Sequence, residues 1–139
     1  MFAAEYRLEI KQGEEFNVGF YLMDDNDQPI PLTDYSFQSQ LREFPESDIY
    51  HEFTITTVPE QGYFALHMSP EETSNIMFDN GVYDIFYTNN LTGVKLCLLQ
   101  GDVKIYKQVT RYTIIKLNVN PVPISLYQKK GDLLVAKGY

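Results

Sequence analysis

The chain has 139 residues, the length of one domain, and its 11 Tyr and 9 Phe residues favour ordered β structure. It contains no run of 18 apolar residues, so neither a transmembrane helix nor a membrane partner is predicted. Cys97 is the single cysteine, which excludes an internal disulfide and a cysteine-based zinc cluster and fits synthesis in a reducing cytosol. The first residues lack a basic stretch followed by an apolar one, so no signal peptide is predicted.

The net charge of −8 conceals two oppositely charged parts. Residues 1–103 contain four basic residues against eighteen acidic ones, and so carry a net charge of −14. Residues 104–139 contain seven basic residues against Asp132 alone, a net charge of +6. A basic tail on an acidic body suggests an anionic partner, either nucleic acid or the acidic body of a neighbouring subunit. An intramolecular match or a merely solvated tail is the alternative interpretation.

The first part of the chain predicts four strands separated by turns. The alternating or β-rich runs that indicate them are residues 6–11, 16–23, 35–41 and 53–58. Gly19 interrupts the second run and predicts a bulge. The cluster at 24–29 predicts a turn, and the polar run 43–52, which contains Pro45, predicts an exposed loop.

The stretch from Gly62 to Lys104 organises the chain. A strand at 62–68 is followed by Ser69, Pro70 and Glu72, the residue types that begin a helix with a capping box. Since the helical pattern ends at 79–81, a helix of one to two turns is predicted.

Two longer strands complete this stretch, at 82–89 and 94–100, with a turn at 90–93. The second is strongly apolar, which predicts a strand covered on both faces. Gly101 predicts a bulge or a bend before pairing resumes at 103–106. Seven short strands with frequent turns predict an all-β fold, an immunoglobulin-like antiparallel β-sandwich with one short helix.

Residues 112–139 have a different character, because they are both basic and apolar. Residues 112–119 could form an eighth strand, whereas the two prolines in 120–123 prevent regular pairing. An apolar segment outside the sandwich needs something to cover it, so we interpret 112–139 as an arm that docks on a partner. The residues predicted to form this protein interface are Arg111, Tyr112, Ile114, Lys116, Ile124, Leu126, Tyr127, Lys129, Lys130, Leu133 and Leu134.

No motif in the sequence predicts an enzyme, a cofactor or a metal site. The acidic run 24–27 lacks the Gly and Glu that a calcium-binding loop requires, so a hairpin turn is favoured. His51 and His67 have no ligands at metal-binding spacing and no nucleophile beside them. Cys97 lies among leucines, which favours a packing role over a reactive thiolate.

Five ordered landmarks resemble a module of tailed-bacteriophage virion proteins, including the N-terminal domain of baseplate upper proteins. The landmarks, which together span about residues 5–111, are G-x-x-F-x-x-x-F from Gly13, P-L-T-D-Y-x-F from Pro31, G-x-F-x-L-x-x-S-x-E-x-T from Gly62, G-V-Y-D-I from Gly81, and L-x-G-x-V-x-I from Leu99 with V-T-R at 109–111. The resemblance implies an immunoglobulin-like sandwich that serves as a building block of the tail, baseplate or neck. It implies no catalytic residues.

Residues and resemblance together predict a non-enzymatic structural component of a virion. Its domains would be a sandwich, 1–111, and an assembly arm, 112–139. Its partners would be other virion proteins and copies of itself, with no small-molecule ligand and no nucleic acid, because the acidic body repels phosphate backbones. The alternative is a carbohydrate- or receptor-binding β-sandwich, although the Trp residues that often form sugar platforms are absent.

Overall fold

The computed structural model describes residues 3–110. The strands are β1 (Ala4–Glu5), β2 (Leu8–Lys11), β3 (Phe16–Tyr21), β4 (Tyr35–Arg42), β5 (Tyr50–Glu52), β6 (Thr54–Val58), β7 (Tyr63–Met68), β8 (Asn80–Asn89) and β9 (Lys95–Tyr106). Helix α1 spans Pro70–Ser74, and a single 3₁₀ turn spans Pro59–Gln61. The predominance of strands agrees with the all-β prediction.

The strands form two sheets. Sheet A has the order β1–β9–β8–β4–β5, with β2 also pairing with β9, and sheet B has the order β3–β7–β6. Neighbouring strands are antiparallel except that β1 and β2 run parallel to β9. The prediction of a wholly antiparallel sandwich is wrong at this edge, because the first strand lies beside the last strand rather than in a hairpin with its sequence neighbour.

The core lies between the sheets and consists mainly of alternate residues of the facing strands. Its most deeply buried apolar side chains are Leu8, Ile10, Leu32, Leu41, Leu66, Met68, Ile76, Ile85, Val103 and Ile105. Each such side chain contributes roughly 1.5–3 kcal/mol when it leaves water. The period-two pattern places the strand residues among them on the inner faces, whereas Leu32 and Ile76 reach the core from the connections before β4 and after α1.

Helix α1 begins as the sequence predicts. The Ser69 hydroxyl accepts a hydrogen bond from the Glu72 amide at 3.1 Å, and the Glu72 carboxylate accepts one from the Ser69 amide at 2.8 Å. This reciprocal capping box satisfies two amides that a helix start otherwise leaves unpaired. Thr73, on the buried side of α1, accepts a hydrogen bond from the Gly13 amide at 3.0 Å and so ties the helix to the β2–β3 turn.

The predictions for two glycines and two segments were wrong in detail. Gly19 pairs in regular register with Ala65 in sheet B, and Gly101 pairs with Tyr83 in sheet A. The register shift between β8 and β9 lies instead between Ile85 and Phe86. The predicted loop 43–52 contains β5, and β9 runs unbroken through Gly101. Leu96 is 47% exposed, so β9 is not covered on both faces at its start.

Gly101 is needed for the path of the N-terminal strand. An added Cβ there would lie 2.2 Å from the Tyr6 carbonyl oxygen. The same carbonyl accepts a hydrogen bond from the Tyr83 hydroxyl at 2.5 Å, and the Tyr6 amide donates to Gln100 at 3.0 Å. Burial raises the pKa of the Tyr83 hydroxyl, which keeps it protonated as the donor in this contact. The chain between β1 and β2 therefore runs alongside β9 in close contact, and the register is the same on both sides of Tyr6.

Residues up to Gln108 form one compact unit. The predicted boundary at residue 111 and the predicted arm 112–139 fall outside the described residues, so the division into two domains stays a prediction. Among the described residues, no helix has the length and apolar character needed to span a membrane.

Candidate functional site

The predicted interface residues, from Arg111 to Leu134, all lie outside residues 3–110. The described sandwich offers two other places where a partner could bind. One is the open side of the sandwich between β2 and β3, and the other is a depression on the outer face of sheet A.

The chain leaves the sandwich at a firmly held point. The Gln108 amide donates to the Gln12 side chain at 3.1 Å, and the Gln12 amide nitrogen donates to the Ile76 carbonyl at 2.9 Å. Lys107 donates to the carbonyls of Ile76 and Phe78, at 3.0 Å each. These contacts fix the end of β9 beside the β2–β3 turn.

A groove of about 690 Å³ runs along the open side. Phe16 and Val18 of β3 contribute half-buried apolar surface, and Tyr6 and Tyr106 are 49% and 43% exposed along it. The Tyr6 ring meets Phe20 edge-on, with centroids 5.6 Å apart. The groove therefore presents aromatic and aliphatic surface to solvent beside a sheet edge.

Strand β3 forms that edge, since within the described residues it pairs with β7 alone. The Leu22 amide donates to the Gly62 carbonyl at 2.7 Å, toward β7. Backbone groups alternate in direction along a strand, so those of Asn17, Gly19 and Tyr21 point to the open side. These donors and acceptors are available to a further strand.

The charges around the groove are mixed but mainly acidic on the β3 side. Arg7, which precedes β2, and Lys11 of β2 line it, and so do Glu9, Glu14 and Glu15. Glu15 also contacts His67 at 3.0 Å on the outer face of sheet B. A basic segment that lies along β3 would meet this acidic turn.

The second place is a depression of about 360 Å³ on the outer face of sheet A. Its polar lining includes Gln40, Arg42, Asp84, Gln100 and Asp102. Arg42 is held by the Gln40 side chain at 2.8 Å and lies 4.7 Å from the Tyr50 ring centre. The arrangement offers hydrogen-bonding groups and one ordered guanidinium beside carboxylates, but no nucleophile activated by a base.

Two groups near this depression have altered acidity. Burial raises the pKa of the Asp84 carboxyl, and the nearby Arg42 and Lys95 charges partly offset that rise. Burial also raises the pKa of the Cys97 thiol, and the neighbouring Asp84 charge adds to the effect. A thiol with a raised pKa is mainly protonated near neutral pH, which fits a packing role for Cys97.

The two histidines lie apart from each other and from a common site. His51, predicted to lie in a loop, belongs to β5 and packs 6.0 Å from the Phe78 ring. Burial lowers its pKa, while the Glu72 charge opposes that shift. No three His, Cys, Asp or Glu side chains within residues 3–110 are grouped so that they could hold a metal ion.

The acidic cluster at 24–29 forms a tight turn. The Asp24 carboxylate accepts hydrogen bonds from the amides of Asn26 and Gln28, at 2.8 and 2.9 Å. Asp27 adopts a left-handed conformation with φ of 59°. Asp24 thus uses its carboxylate to close its own turn, as Asp residues do at such positions.

The open groove was not located from the sequence. The residues of β3 alternate as a half-buried strand does, and that pattern is the same for an edge strand and a central strand. The composition of β3, which contains neither a charged residue nor a proline, is typical of a central strand and gave no sign of an edge. Which strand lies beside it depends on contacts between residues far apart in the chain.

Comparisons with protein-family models and with curated proteins found no match for this chain.

Proposed function

We propose that this protein is a non-enzymatic structural component of a tailed-phage virion, located in the tail, baseplate or neck. It is made in the host cytoplasm and assembles through protein–protein contacts of its C-terminal arm and of its sandwich edges. Its partners are other virion proteins and further copies of itself.

The order of strands supports an immunoglobulin-like identity for the sandwich. In that fold, one sheet has the order B–E–D, and the other has G–F–C with an added C′ strand in variable-type domains. Sheet B here follows the first order, as β3–β7–β6, and sheet A follows the second, as β9–β8–β4–β5. Domains of this architecture serve many functions, so the fold alone does not choose among them.

The observation that carries the proposal is the division of charge along the chain. Residues 3–110 carry eighteen acidic residues against six basic ones, whereas residues 111–139 carry five basic residues against one acidic one. The arm also contains apolar residues that need cover. An acidic surface keeps free subunits apart, and a basic apolar arm attracts them at short range. In a ring of subunits such a head-to-tail contact closes on itself.

Deletion of residues 112–139 tests the role of the arm. The shortened chain is expected to keep the β-rich circular dichroism spectrum and the cooperative unfolding of the full chain. It is not expected to assemble with copies of the chain or with other virion proteins. Assembly of the shortened chain at the wild-type level would contradict the proposal.

The location is tested on particles. An antibody raised against the purified full chain is expected to label the neck, tail or baseplate of phage particles from cells that express the gene. Finding the chain only in the cell lysate, and on no particle, would contradict a virion role.

The second candidate function, a carbohydrate- or receptor-binding module, is favoured by one observation. The depression with Arg42, Asp84 and three amide or carboxylate neighbours offers several hydrogen-bonding groups on one open sheet face. Saturable binding on a glycan array, lost in Arg42→Ala, would support it and would weigh against a purely structural role.

A further inference from the structure

The edge formed by β3 lacks the usual protection of an exposed strand. Natural proteins guard such edges with charged residues, prolines, bulges or a covering element. Strand β3 has the sequence FNVGFY, and it pairs in unbroken register with β7 over all six residues. Within residues 3–110 no helix or further strand pairs along its outer side. An edge of this kind is a template for one more strand.

The groove beside this edge has room for the side chains of such a strand. Its volume of about 690 Å³ lies within the 300–1,000 Å³ range of ordinary ligand pockets. Phe16 and Val18 supply apolar surface at its base, and Tyr6 and Tyr106 supply exposed rings. An added strand would therefore gain hydrogen bonds from the edge and apolar contacts from the groove.

One segment of the chain matches both requirements. Residues 112–119, YTIIKLNV, are long enough to pair with all of β3. Thr113, Ile115, Leu117 and Val119 share one face of an extended chain, and three of these four are apolar β-branched or leucine residues. Lys116 falls on the opposite face, together with Tyr112, Ile114 and Asn118.

We propose that residues 112–119 of one copy add as a further strand to the open edge of β3 in a neighbouring copy. The face with Ile115 and Leu117 would cover the groove, and backbone groups would pair with those of Asn17, Gly19 and Tyr21. This inference rests on the proposed assembly role of the arm and names the surface that receives it.

Charge favours an arm over a second β3 edge as the occupant. Two sandwiches that paired edge to edge would bring together two acidic bodies, each with twelve more acidic than basic residues. An arm with a net charge of +3 instead approaches the acidic turn formed by Glu14 and Glu15. Strand β9 ends beside that turn, where the Gln108 amide donates to the Gln12 side chain.

The first test is a proline at an amide that points to the open side. In the full chain, Asn17→Pro removes a donor from the β3 edge but leaves the hydrogen bonds to β7 in place. The matched control is Thr57→Pro on β6, the opposite edge of sheet B. The backbone groups of Ala65 point to β6, because those of its neighbours Phe64 and Leu66 point to β3. Thr56 therefore forms hydrogen bonds with Ala65, and the amide of the next residue, Thr57, points away from β7.

We expect Asn17→Pro to weaken self-association of the full chain at least tenfold by sedimentation equilibrium, and Thr57→Pro to leave it within about twofold. Both variants should unfold cooperatively in urea. Equal self-association of both variants and wild type would overturn the inference, and so would a wild-type chain that is monomeric throughout.

A mixing experiment identifies the occupant. Leu117→Asp prevents a copy from donating its arm but leaves its β3 edge able to receive one. Asn17→Pro prevents a copy from receiving an arm at β3 but leaves its own arm intact. Each variant alone is expected to be monomeric, and an equimolar mixture is expected to form a heterodimer visible by native mass spectrometry. A mixture that stays monomeric would overturn the exchange, and Leu117→Asp that still self-associates would point to direct pairing of two edges.

A second mixing experiment, with Leu117→Asp and wild type, tests the inference if Asn17→Pro does not fold. Leu117→Asp copies accept an arm but donate none, so an excess of them should cap wild-type assemblies and lower their mean mass. No change in that mass would overturn the inference. The proposed function fails separately, by assembly without residues 112–139 or by the absence of the chain from particles.

Discussion

Gly101 shows how one missing side chain sets the path of the N-terminal strand. The Tyr6 carbonyl occupies the space where a Cβ would lie, and it cannot move aside without breaking its bond with the Tyr83 hydroxyl. The obstacle is backbone, which yields less readily than a side-chain end. The glycine is therefore required by the contact between two strands and not by its own backbone conformation.

We predict that Gly101→Ala lowers the free energy of unfolding by about 2 kcal/mol, because the overpacked strand must shift. The measurement is urea denaturation of the full chain. Gly19→Ala is the matched control, since the atoms nearest to its Cβ would be the hydroxyl and the outer ring carbons of Tyr63, a side chain, and not backbone. A loss as large in the control as in Gly101→Ala would contradict this explanation.

Asp84 gives a pH-dependent prediction at the same scale. Burial raises the pKa of its carboxyl in the folded chain, so the folded state holds its proton more tightly than the unfolded state. The stability associated with the protonated carboxyl is full below roughly pH 4, the unfolded value, and is lost as pH rises through the folded pKa.

Asp84→Asn removes this titration. We expect the stability of the variant relative to wild type to increase between pH 3 and pH 7, measured by urea denaturation at each pH. Asp102→Asn, in the same depression on the outer face of sheet A, serves as the control. A relative stability of Asp84→Asn that falls with rising pH would mean that the Arg42 and Lys95 charges outweigh burial.

Among the elements, α1 is too short to be stable alone, and its cap and its tie to the β2–β3 turn maintain it. The Ser69 hydroxyl and the Glu72 carboxylate hold its first turn, while Thr73 links it to Gly13. Through that turn, α1 also supports the end of the groove where the chain leaves β9.

We predict that Ser69→Ala lowers the free energy of unfolding by about 1 kcal/mol, the typical loss for an N-cap. Chemical denaturation of the full chain measures it. Glu71→Gln, in the same first turn but outside the capping box, should change stability by much less. Equal losses in the two variants would show that the first-turn charge, and not the cap, supports the helix.

For the whole molecule, the opposite charges of the body and the arm predict salt-dependent association. The Debye length falls from about 10 Å at 0.1 M salt to about 3 Å at 1 M, so contacts between charged surfaces are screened. The apolar part of the arm contact is not screened in this way.

We expect the full chain to form a defined oligomer at low salt that dissociates in part at 1 M sodium chloride. Light scattering at a fixed protein concentration measures the mass. A matched variant, Lys129→Gln with Lys130→Gln, should shift dissociation to lower salt. An oligomer whose mass does not change with salt concentration would indicate that apolar surface alone holds the subunits together.

Local patterns in the sequence were sufficient to predict most strands and α1. Alternation located β3, β4, β6, β7 and β8, and the Ser-Pro-Glu-Glu signal located the helix, because each depends on residues close together in the chain. The short β5 was missed, since Tyr50–Glu52 has little periodicity and forms only against Leu41 and its neighbours. The candidate arm residues were chosen from composition, and they lie outside the described structure.

The sequence by itself determined an all-β fold and a division of charge between residues 1–103, which are acidic, and residues 104–139, which are basic. These properties follow from the chemistry of the side chains and from the two-residue alternation of apolar and polar positions. Only the tertiary structure decided that the first strand lies parallel to β9 and that Gly101 permits a close approach of Tyr6 instead of a bulge. Within residues 3–110, it also decided that β3 lies at an edge of its sheet. Pairing of that kind is set by packing between residues as distant as Tyr6 and Tyr83, and no local pattern contains that information.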